Sequence, residues 1–326
     1  MKGSVCRPAA LLLWLALALS SALPVLGAED TPLSRSARWV AQAVPSPQVA
    51  SVGGEWAVIG LARSGRLADE SRAAYLSALE DVLVRSQGVL SQRKYSEYAR
   101  VVLALNALGE DPRDAAGYDL TAPLLDAEQV ARQGINGPIF ALLALNSGGG
   151  HEEAAEGYLR DILLAQGEDG GWSLAGARAD PDVTAQALQA LAPYAGSDGG
   201  AARAVEAGLA CLEALRQEGA FLTSESCAQA IIAWTALERR PPDGLVQALL
   251  GYQQEDGSFS HLSGGKSDLM ASEQALCALT ALARQERGLF PLYDMTAAGA
   301  EGAEPGLLET LLSARPGVPA APADAA

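Results

Sequence analysis

Phe140-Ala-Leu-Leu-Ala-Leu145, Ala187-Leu-Gln-Ala-Leu191, Ala230-Ile-Ile-Ala-Trp234 and Ala278-Leu-Thr-Ala-Leu282 repeat one apolar pattern, and similar runs stand at 101–108 and 57–62. The starts recur roughly every 40 to 48 residues, the spacing of an array built from one supersecondary unit. Between the runs lie more polar helical segments at 36–44, 71–86, 122–132, 152–165, 201–216 and 243–253. Each unit is therefore expected to be a helical hairpin, six in all. The apolar helices carry hydrophobic residues around most of their circumference and should be buried, whereas the others keep a charged face for solvent. An open superhelix would need polar capping repeats at both ends. The expectation is an all-α chain folded as an α6/α6 toroid, a closed ring of six helical hairpins with the apolar helices inside. Six inner helices at ordinary packing distance would leave a central hole on the order of 5 Å in radius.

Composition agrees with helices. Of 326 residues, 49% are hydrophobic and only 5% aromatic, and the Ala- and Leu-rich usage favours helices over sheet. The net charge of -16 would repel phosphate backbones and anionic headgroups. No nucleic-acid partner is expected. Lys2 and Arg7 precede the apolar run 9–19, and small residues follow at Ala22, Gly27 and Ala28. This is the pattern of a secretory signal peptide, too short to span a bilayer. No membrane span is expected elsewhere. The domains are read as a signal peptide at 1–28, a toroid domain at 29–294 and an Ala/Pro-rich flexible tail at 295–326, either a frayed end or a linker to a partner protein. The mature chain is expected to be secreted. Cleavage would leave Cys211, Cys227 and Cys277, an odd number that excludes a disulfide framework.

Two loops share a signature: Gln166-Gly-Glu-Asp-Gly170-Gly-Trp172 and Gln253-Gln-Glu-Asp-Gly257-Ser-Phe259. Glycine permits a turn at positive φ, the aromatic fills the gap between hairpins, and the glutamine can bond exposed helix-end backbone. These six residues are expected to be structural staples. In them the chain resembles the prenyltransferase and squalene-oxidase repeat family, whose Q-x-x-x-G-x-W/F element it matches twice. That resemblance implies the terpenoid-cyclase or protein-prenyltransferase toroid, and it extends to the helical domain of cobalamin carriers such as intrinsic factor.

Asp180-Pro-Asp182-Val-Thr184-Ala185 looks like the Asp-x-Asp-Asp-Thr-Ala motif of squalene-hopene-type cyclases. The resemblance implies that Asp182 is the acid, although Val183 replaces the family's last Asp. On the residues alone, Asp180 is an N-cap, Pro181 a first helical residue, and Asp182 a complement to the helix dipole. Where the resemblance would place the ligands of a prenyltransferase zinc stand Ser272 and Glu273, so no metal is expected, and no cofactor. His151 and His261 are expected to be solvated.

Aligning the apolar runs brings Asn136, Asp182, Glu225 and Glu273 to one equivalent position near the start of each inner helix, with Glu55 and Glu97 nearby. Crowded carboxylates there would raise one another's pKa or attract a cation at the mouth of the hole. The expected function is ligand binding in the cavity without catalysis, the ligand being a small molecule, a peptide, or an isoprenoid or corrin-like compound. The alternative is a terpenoid-cyclase or prenyltransferase-like enzyme using Asp182 as acid.

Overall fold

Helices of alternating character run along the whole of residues 30–296, the part that the computed structural model describes. The expected signal peptide and the tail from 297 onward lie outside the described residues. The apolar set is α2 (Glu55–Arg63), α4 (Tyr95–Leu108), α6 (Asn136–Gly148), α8 (Pro181–Leu191), α10 (Ser224–Ala236) and α12 (Leu269–Glu286). The more polar set is α1 (Pro32–Ala43), α3 (Asp69–Ser86), α5 (Ala127–Ala131), α7 (Glu152–Leu164), α9 (Gly199–Gln217) and α11 (Leu245–Leu250). A two-stranded antiparallel ribbon, β1 (Phe259–Ser260) and β2 (Ser267–Asp268), leads into α12.

The starts of these helices follow from short side chains. Asp180 Oδ1 accepts from the Asp182 and Val183 N–H groups at 2.9 and 3.0 Å, with Pro181 at the first helical position. Asp268 caps α12 and Thr223 caps α10 in the same way. Two polar segments depart from the expected lengths. The segment 122–132 is a 3-10 turn, Ala122–Leu125, followed by the short α5, because Asp126 leaves helical geometry and caps a new helix. The segment 243–253 is helical only over Leu245–Leu250, since Gly244 enters it at φ 84°.

Packing is sequential. α2 lies against α4, α4 against α6, α6 against α8, α8 against α10, and α10 against α12. α12 packs on α2 as well, where Gly60 has no side chain and leaves room for Leu276. Each of α7, α9 and α11 packs on the apolar helix before it, and α1 packs on α12. Most buried Val, Leu, Ile and Ala residues of the apolar helices form one core with Tyr75, Tyr158, Trp172 and Phe259, while Ala57, Leu61 and Leu276 pack with α1 in a second, smaller cluster. Each fully buried Leu or Ile contributes about 1.5 to 3 kcal/mol.

After α12 the chain is tied down further than its composition suggests. Arg63 donates to the carbonyls of Leu292, Pro291 and Asp294, and Arg284 to those of Phe290 and Arg63. Met295, the first residue of the expected tail, is buried and donates its N–H to the Ser147 carbonyl on α6 at 3.0 Å. The packed chain therefore extends through Met295. Cys211, Cys227 and Cys277 are free and buried, small apolar fillers of helix interfaces. Among the described residues, no helix is long and apolar enough to cross a membrane.

Candidate functional site

The two staples make the same contacts. Gln166 donates from Nε2 to the Gly170 and Ala204 carbonyls at 2.6 and 2.8 Å, gripping α9. Gln253 donates to the Pro32 carbonyl at 2.9 Å and accepts from Arg35 at 2.8 Å, gripping α1. Gly170 and Gly257 turn at φ 84° and 95°. A Cβ on either would lie 2.8 Å from the Ala207 carbonyl oxygen or 2.5 Å from that of Arg35. Trp172 and Phe259 are buried in the gap behind. Their N–H groups donate to hydroxyls on the following helix, Thr184 Oγ1 at 3.0 Å and Ser272 Oγ at 2.8 Å. Ser272 thus completes a staple.

Asn136, Asp182 and Glu225 stand in the first turns of α6, α8 and α10 and Glu273 one turn into α12, and each acid reaches toward the next element. Asp182 is half-buried and is hydrogen-bonded by Ser226 of α10. Glu225 accepts from Ser224 Oγ at 3.0 Å and pairs with His261 Nδ1 at 2.9 Å, in the ribbon before α12. Glu273 is fully buried and accepts from the Gly53 N–H at 2.9 Å, in the loop before α2. Glu55 repeats the arrangement, accepting from the Ala50 N–H at 2.8 Å and Tyr75 Oη at 3.2 Å.

Asn136 Oδ1, Asp182 Oδ1, Glu55 Oε2 and Glu273 Oε2 are buried without a hydrogen-bond partner among the described residues. Burial pushes the Glu273 carboxyl up to about 7, against the Gly53 hydrogen bond. Burial likewise raises Glu55, opposed by the Ala50 hydrogen bond and the charge of Arg100. Burial raises Asp182; the Ser226 bond and His261 oppose it, and the charges of Asp180 and Glu225 add to it. The His261 imidazole moves upward because Glu225 accepts its proton-bearing nitrogen. His261 is therefore solvent-facing but paired, a partnership across 36 residues that no local pattern announced.

A cavity of about 490 Å³ lies beside these groups, within the size range of small-molecule sites. Every apolar helix contributes to its wall: Trp56 from α2, Arg100 from α4, Phe140 from α6, Gln186 and Gln189 from α8, Gln229 from α10 and Gln274 from α12. Tyr293 joins them from the segment after α12. Trp56 packs against Phe140 and Tyr293 with ring centroids 6.2 and 6.3 Å apart. Asn136, Asp182, Glu225 and Glu273 are not part of this wall; they occupy the seams between helix starts.

The glutamines form a ladder. Gln189 Nε2 donates to the Gln229 backbone carbonyl at 3.0 Å and to its Oε1 at 2.8 Å, and Gln229 Nε2 donates to Gln274 Oε1 at 2.8 Å. Sequence reasoning passed over these residues because each sits singly within an apolar run. Among the described residues, no three His, Cys, Asp or Glu side chains converge as a metal site requires. Comparison with family models, curated proteins and solved structures finds no match for this chain.

Proposed function

We propose that the chain is a closed α6/α6 toroid of the prenyltransferase and squalene-oxidase repeat type, exported by its N-terminal leader, that binds a small molecule in its central cavity without catalysis. Closure is supported by the contacts of the last unit with the first. α12 meets α2 as each apolar helix meets the next, and α1 sits on α12 as α7 sits on α6. The observation that carries the binding reading is the cavity itself. All six apolar helices converge on it with an aromatic cluster, four glutamine amides and the charged Lys94, Glu97 and Arg100, aromatic surface to hold a ligand and polar groups to orient it.

The enzyme alternative draws on the raised pKa and unpartnered Oδ1 of Asp182, which suit a proton donor. A cyclase acid must reach the substrate, and Asp182 lies outside the cavity wall. Native mass spectrometry of the purified chain should find a bound small molecule that Trp56→Ala and Phe140→Ala together remove. Turnover of squalene or a prenyl diphosphate, abolished by Asp182→Asn, would overturn the non-catalytic reading.

A further inference from the structure

We infer that the cavity takes a small monoanionic carboxylic acid with a flat apolar body, its carboxylate held by Arg100 and the Gln274 amide and its body lying on Trp56, Phe140 and Tyr293. This rests on the cavity-binding proposal above. It names the class of ligand.

The polarity of the glutamine ladder comes first. Gln189 donates to a backbone carbonyl, an acceptor that cannot be reversed, so the Gln229 group beside that same amide nitrogen is its oxygen. Gln229 then turns its nitrogen to Gln274 and receives the Gln274 oxygen. The ladder therefore ends on the Gln274 Nε2 donor group, in the wall of the cavity. Because the backbone fixes the direction of the row, Gln274 is the amide whose N–H groups are left over for an occupant.

Charge selects the occupant's head. Three charged side chains, Lys94, Glu97 and Arg100, stand with the amides in the wall. Lys94 and Glu97 lie 3.9 Å apart and offset each other. Arg100 makes no hydrogen bond or ion pair among the described residues, although it lies within the field of Glu55 and Glu273. Those two acids are fully buried behind the wall and are not part of it. A half-buried guanidinium with unused donors matches a carboxylate in two parallel hydrogen bonds. With Lys94 and Glu97 offsetting each other, the one cation left over in the wall fits a single negative charge better than the several charges of a diphosphate. The aromatic cluster offers ring faces and edges to the rest of the molecule.

The test is calorimetric titration of the full chain with three probes of one shape: 2-naphthoate, 2-naphthalenemethanol and 2-naphthylmethylammonium. We expect naphthoate to bind at least tenfold more tightly than the other two. Arg100→Gln should abolish that preference while leaving the alcohol's affinity within about twofold. Gln274→Glu, which keeps the acceptor for Gln229 and replaces the donor with a negative charge, should weaken naphthoate at least fivefold; it decides the matter if Arg100→Gln fails to fold. Equal affinities for the three probes, preference for the cation, or naphthoate binding unchanged in a folded Arg100 variant would overturn the carboxylate inference and leave the cavity reading standing. No binding by any probe would overturn both.

Discussion

Gln253 donates its side-chain amide to the Pro32 carbonyl at 2.9 Å, a contact spanning 221 residues of chain. Gln166 makes the corresponding bond to Ala204, 38 residues away, between consecutive units. One device thus serves both an ordinary junction and the junction of the last unit with the first. That is the relationship a circular array requires, and it places the beginning of α1 under the control of a loop near the end of the domain.

Replacing either glutamine with alanine removes a side-chain donor that ties its loop to a carbonyl of the next polar helix and should cost about 0.5 to 1.5 kcal/mol. Gln253→Ala and Gln166→Ala are expected to lower the urea midpoint by similar amounts. Gln253→Ala alone should also speed proteolysis near α1, because that helix loses its tie to the last unit.

Gly257→Ala tests the turn beneath the same contact. The residue sits at φ 95°, and a Cβ there would press to 2.5 Å from the Arg35 carbonyl oxygen. Strain and close contact together should cost about 2 to 4 kcal/mol. Gly264 also turns at positive φ, with open space around it; Gly264→Ala should cost only about 1 kcal/mol. The difference, measured by equilibrium denaturation, separates conformational strain from the close approach of α1.

Stability should fall as pH rises through the neutral range. Glu273 titrates near 7 when buried, against an ordinary 4.5. Between those values the folded chain holds a proton that the unfolded chain has released, so each rise in pH favours unfolding. The loss is on the order of 3 kcal/mol across the window, and nothing is lost below pH 4.5 from this group. Glu55 and Asp182 shift in the same direction. Glu273→Gln should flatten the dependence of the denaturation midpoint between about pH 5 and 8, and an unchanged slope would refute the assignment.

Gln229→Ala removes the middle rung of the ladder: Gln274 loses its donor, and Gln189 keeps only its bond to the backbone carbonyl at 229. About 1 to 3 kcal/mol should be lost. Adding Gln189→Ala should cost less than the sum of the two single changes, since both act on one bond.

The alternation of helix types was legible because it depends on local periodicity: runs such as 140–145 and 230–234 are apolar on all faces, and segments such as 152–165 are not. Caps were legible too, Asp180 with Pro181 above all. What the sequence withheld lies between the helical units. Arg100, Gln229 and Gln274 stand on different units, and only packing brings them to one cavity. The shared register of Asn136, Asp182, Glu225 and Glu273 was visible, but register fixes height along a helix and not the direction a side chain takes. Tyr293 fell within the expected domain, but nothing local placed it at the cavity, because the arginines holding its segment come from α2 and α12.

Closure of the ring is the claim on which the cavity depends, and α1 against the last staple is where it is most directly measured. Trp39 donates to Asp256 at 3.1 Å across that junction. In a chain carrying Trp39→Cys and Asp256→Cys, with Cys211, Cys227 and Cys277 buried, a short bismaleimide should give a rapid intramolecular cross-link between the two introduced thiols, seen by peptide mass spectrometry and lost in denaturant. An open spiral would leave the two positions apart, and absence of that cross-link in the folded variant would contradict the toroid.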